Sequence, residues 1–362
     1  MKESSQKAVG FAMAGGLDRA SVDQMARDLC AQAHRGAGVA ELGEVISRAL
    51  APLVAHDAAR LVGANPAARL ASFSFWHGLE SDLGRAWLHN FFAGTNPLSV
   101  PDLLRGPVPA GVLGAGDRPR DRRAQRRLAA HGVGSELRLV LRDARGVWGT
   151  LGLLRAQGGR PFDDADLTRV ASLAPALMAV LRAHVTSAAL VPGVAAPPAG
   201  TLIVNDAHAI RATTRHARTW LQLIRAPLPD REWIVEPFLV YLAGKALRHA
   251  HEPRATRPLV VAPAASFGRW TAVQAEPLDD GSGDIAIIIQ PAAGEQLLPA
   301  FCDWYQITPR ESQILAHLRK AMAPKQIARH LDLSLHTIND HLKAIYAKAG
   351  VGGRDELLTA LG

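Results

Sequence analysis

ITPRESQILAHLRKAMAPKQIARHLDLSLHTINDHLKAIYAKAG, residues 307–350, decides how this chain is read. It opens on Thr308, Pro309 and Glu311, a T-x-x-E capping box in which hydroxyl and carboxylate each accept from the other residue's backbone N–H. The helix it starts carries Ile314, Leu315 and Leu318 on one face and ends near Lys320. Pro324 suits the first turn of a second helix with Ile327, Ala328 and Leu331 as its apolar side. Asp332, Leu333 and Ser334 then make a short turn, in which Asp332 tolerates a left-handed backbone and Ser334 can cap a third helix.

Along that third helix, at about 100° per residue, Ile338, Leu342, Ile345 and Ala349 form one apolar seam. His336, Asn339, Asp340, Lys343 and Ala347 fall on nearly the opposite side. Helix, tight turn and helix with an outward polar stripe is the helix-turn-helix arrangement, in which the second helix of the pair enters a DNA major groove. A short last helix, RDELLTALG, follows glycines 350, 352 and 353.

Outward from this segment, 362 residues predict two or three domains rather than one core. A net charge of +8 favours polyanionic partners, and of the seven lysines four (Lys320, Lys325, Lys343 and Lys348) lie in the C-terminal segment. No run of about 18 apolar residues is present to cross a bilayer, and AVGFAMAGG near the start is too short to do so, so neither a membrane span nor a signal peptide is expected. Cys30 and Cys302 have no metal-ligand or redox spacing, which fits a reducing cytoplasm.

Before the C-terminal segment, SVDQMARDLCAQAH reads as a leading helix within residues 1–37, and Leu42, Val45, Ile46, Ala49 and Leu50 mark a second. Short alternating strands and glycine-rich turns are expected next, the clearest being SELRLVLRDARGVWGTLGLLRA, a hairpin turning at residues 143–146. PFDDADLTRVASLAPALMAVLRAHV predicts one long helix capped by Asp163. The Pro/Gly/Ala stretch VPGVAAPPAG reads as a linker. TLIVND, GRWTAVQAEPLDD and GDIAIIIQPA then predict strands, the last two around a turn at residues 279–281, with a helical middle between the first strand and that pair.

Two features invite a functional reading. GDRPRDRRAQRR, residues 116–127, holds six arginines; a phosphate-binding patch is one reading, and a solvated helix partly offset by Asp117 and Asp121 is the preferred one. Phe73, Phe75, Trp76, Trp87, Phe91 and Phe92 could line a ligand pocket, although aromatic side chains more often build plain core.

These patterns carry resemblances. Helix, antiparallel strands, hairpin and closing helix over residues 38–187 resemble a GAF sensor domain, and the end strands of 201–296 resemble a PAS-type sheet, with 188–200 as the linker. ITPRESQIL, PKQIARHLDLS, HTINDHLKAIYAKAGV and the closing Arg354, Glu356 and Leu357 resemble the DNA-binding domain of LuxR-type transcription regulators, here within 297–362. The resemblance implies a multidomain α+β chain with an all-α C-terminal helix-turn-helix, and double-stranded DNA and a second copy of the chain as partners. It places Asn339, Asp340 and Lys343 at base-facing positions and Lys325, Thr337, His341 and Lys348 near the phosphates or bracing the helix. Ser334 and His336 complete the expected DNA-binding set, and the final helix is expected to pair two copies. Where the family usually has glycine stand Ala321 and Asp332, and where it has a polar cap stands Ala323, departures that bear on helix ends by about 1 kcal/mol each.

Asp340 is the odd member, since phosphates repel it. A carboxylate can nevertheless accept from cytosine N4, a contact giving roughly 1–3 kcal/mol of base discrimination, or it can orient Lys343. The alternative class is a GAF-containing ligand-binding or enzymatic signalling protein. Against an enzyme, no GxxxxGK, HExxH or GxSxG motif occurs, and His249 with His251 lacks a third ligand, so no catalytic residue, metal or cofactor is expected. The N-terminal region has neither a phosphorylated receiver's pattern nor a recognisable acyl-homoserine-lactone sensor. A small-molecule effector is allowed, with no ligand-binding residues identifiable from the sequence.

Overall fold

The computed structural model describes residues 19–362 apart from 67–69, 93–96, 114–118, 192–194, 208, 228–231 and 253, with the backbone alone at 89–92. The apolar stretch at 8–16, the start of the arginine-rich segment, part of the linker and the side chains of Phe91 and Phe92 lie outside the described residues.

Helices α1 (Arg19–His34) and α2 (Val39–Leu50) come where the periodicity predicts them, and α2 buries Leu42, Ile46 and Leu50. Gly43 lets α2 lie against the next sheet, because a Cβ there would meet the Trp76 carbonyl oxygen at 2.4 Å. Strands β1 (Ala58–Asn65) and β2 (Leu70–His77) are followed by α3 (Ser81–Phe92), α4 (Val100–Leu104), β3 (Ala110–Leu113) and α5 (Pro119–Ala129). The helices α3 and α4 thus stand where short strands and turns were expected, and α5 is the helix that the arginine-rich segment predicts. The inward face of the arginine-rich α5 consists of Ala124 and Leu128. Its arginines sit on the outer side, where Arg120 pairs with Asp102 at 3.4 Å.

Strands β4 (Val133–Asp143) and β5 (Gly146–Ala156) form the expected hairpin. In its turn the Asp143 carboxylate accepts from the Arg145 N–H at 2.8 Å, and Gly146 takes φ 139°, which a side chain would disfavour. Asp163 caps the following helix and Asp166 returns the bond, as a full capping box. The single long helix expected there is two, α6 (Asp164–Ser172) and α7 (Ala174–Thr186), broken at Leu173 because Pro175 has no N–H to give to the previous turn. The strands pair antiparallel in the order β2-β1-β5-β4-β3.

A second sheet follows from β6 (Gly200–Val204), β7 (Ile210–Thr213), β8 (Leu259–Ala262), β9 (Thr271–Pro277) and β10 (Ile285–Pro291). Its order, β7-β6-β10-β9-β8, repeats the connectivity of the first sheet position for position, again antiparallel. The helical middle is α8 (Arg215–Arg225), a short 3-10 turn and α9 (Val235–His251), and α10 (Ala264–Phe267) links β8 to β9. Trp220, Leu239 and Leu242 pack α8 and α9 onto Ile285, Ile287 and Ile289.

The C-terminal helices are α11 (Gly294–Trp304), α12 (Pro309–Arg319), α13 (Pro324–His330), α14 (Leu335–Ala349) and α15 (Arg354–Leu361). Their core is continuous with that beneath the first sheet, because α11 inserts Phe301 and Trp304 between them. The Trp304 ring lies 5.0 Å from Trp148 and 5.8 Å from Phe73, so Phe73, one of the aromatic residues noted in the sequence, and Trp148 help seat the helix that leads into the bundle. From the β4–β5 turn, Arg145 donates to the carbonyls of Cys302 (3.5 Å) and Ile307 (3.4 Å).

Candidate nucleic-acid interface

The three helices α12, α13 and α14 hold the geometry that the sequence predicts. Thr308 caps α12, accepting from the Glu311 N–H at 3.2 Å while the Glu311 carboxylate accepts from the Thr308 N–H at 2.7 Å. Ile314, Leu315 and Leu318 are buried, as are Ile327 and Ala328 of α13, while Leu331 is half-buried. On α14 the buried side chains are Ile338, Leu342, Ile345 and Ala349, the predicted seam. Ser334 caps α14: its hydroxyl accepts from the Thr337 N–H at 3.0 Å and meets the Thr337 hydroxyl at 2.8 Å.

The opposite stripe is open. Ser334, His336, Asn339, Asp340 and Lys343 are exposed, and Lys325 at the start of α13 is exposed as well, while Thr337 and His341 are half-buried. Arg329, absent from the sequence-derived set, lies one helical turn after Lys325 and is exposed too; the i,i+4 spacing of the two cations was the available signal. Asp340 does not pair with Lys343. Its carboxylate is 3.4 Å from His336 Nε2, one turn back, and both groups face water, the histidine side chain 87% exposed and the carboxylate 54%.

Lys348 stands apart from the other cations. Its ammonium donates to the Glu311 carboxylate at 2.6 Å and to the Gln306 carbonyl at 3.1 Å, joining the C-terminal half of α14 to the start of α12. Burial pushes the Glu311 carboxyl upward, but the bonds from Lys348 and from Thr308 outweigh it and hold the group below its ordinary range. A second brace, invisible to motif reading, is Arg310, which donates to the Leu331 carbonyl at 3.0 Å and so ties α12 to the end of α13.

Each departure from the family pattern has a structural counterpart. Ala321 and Asp332 both adopt left-handed backbones, φ 59° and 52°, where glycine carries no Cβ penalty. Ala323 offers no side-chain cap, but Gln326 supplies the reciprocal half by accepting from the Ala323 N–H at 2.8 Å. In α15, Leu357 and Leu361 are turned inward against the rest of the bundle, and Leu358 and Ala360 are half-buried.

Elsewhere the chemistry is sparse. Both cysteines are free. His249 Nδ1 lies 3.0 Å from the Ala255 carbonyl, and among the described residues no group of three histidine, cysteine or acidic side chains could hold a metal ion. No helix among those residues is long and apolar enough to cross a membrane.

Comparison with known proteins agrees with this geometry. Residues 305–361 match the family described as bacterial regulatory proteins, luxR family. Over 53 residues the chain is 42% identical to the monoamine regulon transcriptional regulator of Klebsiella aerogenes, a match covering 15% of this chain and 23% of that protein. The C-terminal segment is therefore a LuxR/GerE-type helix-turn-helix domain, and the match sets it among regulatory proteins rather than catalysts.

Proposed function

We propose, on the premise of that luxR-family domain, that the chain is a sequence-specific transcription regulator acting on double-stranded DNA in the cytoplasm, with its two N-terminal α+β units serving as sensors. The observation that carries this is the exposed stripe of α14 backed by a fully buried seam, set after a capped scaffold helix. In this reading Asn339, Asp340 and Lys343 face base edges, with Ser334 and His336 at the entry of the helix and Lys325, Thr337, His341 and Arg329 toward the phosphates. Lys348 is bound to Glu311 and serves the fold of the bundle.

The first sheet with its flanking helices is read as a GAF-like domain and the second as a PAS-like one, a reading supported by their shared strand order and by the helical middle of the second. Control of DNA binding by these units is supported by the continuous core from the first sheet through α11 into the bundle. A homodimer is proposed through α15, using the side chains of Leu358 and Ala360 that its own bundle leaves half-covered.

Selection of bound duplexes from a random pool, followed by titration of the recovered and a scrambled duplex across salt concentrations, tests the function. The expected result is a recurrent motif with two half-sites about one helical turn apart, bound far more tightly than the scrambled duplex, with affinity falling steeply in salt. Equal affinity for both duplexes would overturn it.

A further inference from the structure

The run LDLSL, residues 331–335, crosses the turn between α13 and α14 and carries three leucines with two different fates. Leu331 and Leu333 are half-buried and pack against the core of the bundle. Leu335 does not. It is the first residue of α14, it is 46% exposed, and it stands outside the hydrophobic cluster that takes the other two. Nor does the helix cap call for it. Ser334 caps α14 through the Thr337 N–H. The apolar pair that closes such a cap occupies the position before it and the fourth helical position, here Leu333 and Ile338.

Position decides what this side chain meets on a duplex. Leu335 lies one turn before Asn339 and, at about 100° per residue, about 40° from it around the helix axis. The first turn of the second helix in a helix-turn-helix is the part that reaches base edges. In the major groove guanine, cytosine and adenine present hydrogen-bond donors and acceptors, and thymine alone adds an apolar group, its C5-methyl. A leucine side chain has neither donor nor acceptor. Laid against the polar edge of another base it strips water away without replacing the lost bond, and laid against a methyl group it buries apolar surface on both sides.

We infer that Leu335 reads a thymine, its side chain packed on the C5-methyl group in the major groove next to the base met by Asn339. The inference rests on the duplex-binding reading proposed above and assigns a base to one position of the motif. Two modes of recognition then share α14: Asn339, Asp340 and Lys343 work through hydrogen bonds, and Leu335 works through apolar contact. A contact of this kind distinguishes thymine from uracil, which hydrogen bonds to the base edge do not, since the two bases differ only in the methyl group.

The test selects duplexes from a random pool with the full chain and with Leu335→Ala. Each half-site of the recovered motif should hold one thymine whose preference is lost in the variant, while the other positions keep theirs. Replacing that thymine by deoxyuridine removes the methyl alone. The unaltered chain should bind the substituted duplex about fourfold more weakly, the worth of one buried methyl group. Leu335→Ala, shown to be folded by circular dichroism, should bind the two duplexes within about twofold of each other. Deoxyuridine without effect at every thymine of the motif overturns the inference and needs no variant to do so; a penalty of the same size in Leu335→Ala overturns it as well. In both cases the recovered motif leaves the regulator reading standing. Recovery of no motif overturns that reading, and this inference with it.

Discussion

Lys348→Met separates two roles that a lysine near the end of a recognition helix can have. In the structure its ammonium is 2.6 Å from a Glu311 carboxylate whose side chain is only 5% exposed, while the lysine side chain is 31% exposed. Stripping the partner from a fully buried ion costs about 3–5 kcal/mol. Because the lysine end is partly wet, the lower range for a hydrogen bond to a charged group applies, about 1.5–3 kcal/mol. Amides of α12 and α14 in the full chain should then exchange with solvent deuterium about ten- to a hundredfold faster, a local measurement suited to a chain of several units. The double variant with Glu311→Gln should cost less than the sum of the single changes. The Glu311 carboxyl is held below its ordinary value of 4.5, so the contribution is complete at neutral pH. It is lost only as pH falls below that value and through the depressed folded-state pKa. The slope of log affinity for DNA against log salt should not change. A slope shallower by about 0.9, the share of one phosphate contact, with amide exchange unaltered, would refute the reasoning.

Other outcomes follow from the same geometry. Asp340→Ala should alter base preference at one position of the selected motif more than total affinity, and equal losses on cognate and scrambled duplexes in a binding titration would contradict base readout. Lys343→Ala should weaken binding to the selected duplex by at least tenfold, with the fold unchanged by circular dichroism, since the side chain is exposed. Ala321→Gly and Asp332→Gly should each slow exchange in the bundle, by about 0.5–1 kcal/mol in opening free energy, because each releases a left-handed non-glycine residue. Gly43→Ala should lower the thermal midpoint by several degrees, roughly 1–3 kcal/mol of overpacking, as the added Cβ forces α2 away from the Trp76 backbone.

What could be read from the sequence was local. The α14 seam, the Thr308 and Asp163 caps, the hairpin at 143–146 and the strands around 279–281 depend on the period of apolar residues and on turn chemistry, both of which act within a few residues. The break in the helix after Asp163 is also local, and Pro175 marks it within a continuous apolar period. The arginine-rich helix α5 was legible as a solvated one, with only Ala124 and Leu128 buried, whereas α3 was harder, because it relies on Trp87 to fill space above Gly152 of a strand some sixty residues downstream.

The sequence by itself determined a C-terminal helix-turn-helix with its outward residues, because a helix carries its faces in its own periodicity. Tertiary structure decided which of the expected DNA-binding residues remain available: Lys348 is bound to Glu311, across 37 positions of chain, whereas Asp340 meets only His336 of its own helix and stays open to water. It also decided that Arg60 and Val273, more than two hundred residues apart, share one cavity. No periodicity spans such a separation, since side chains that distant meet only when the elements that carry them pack against each other.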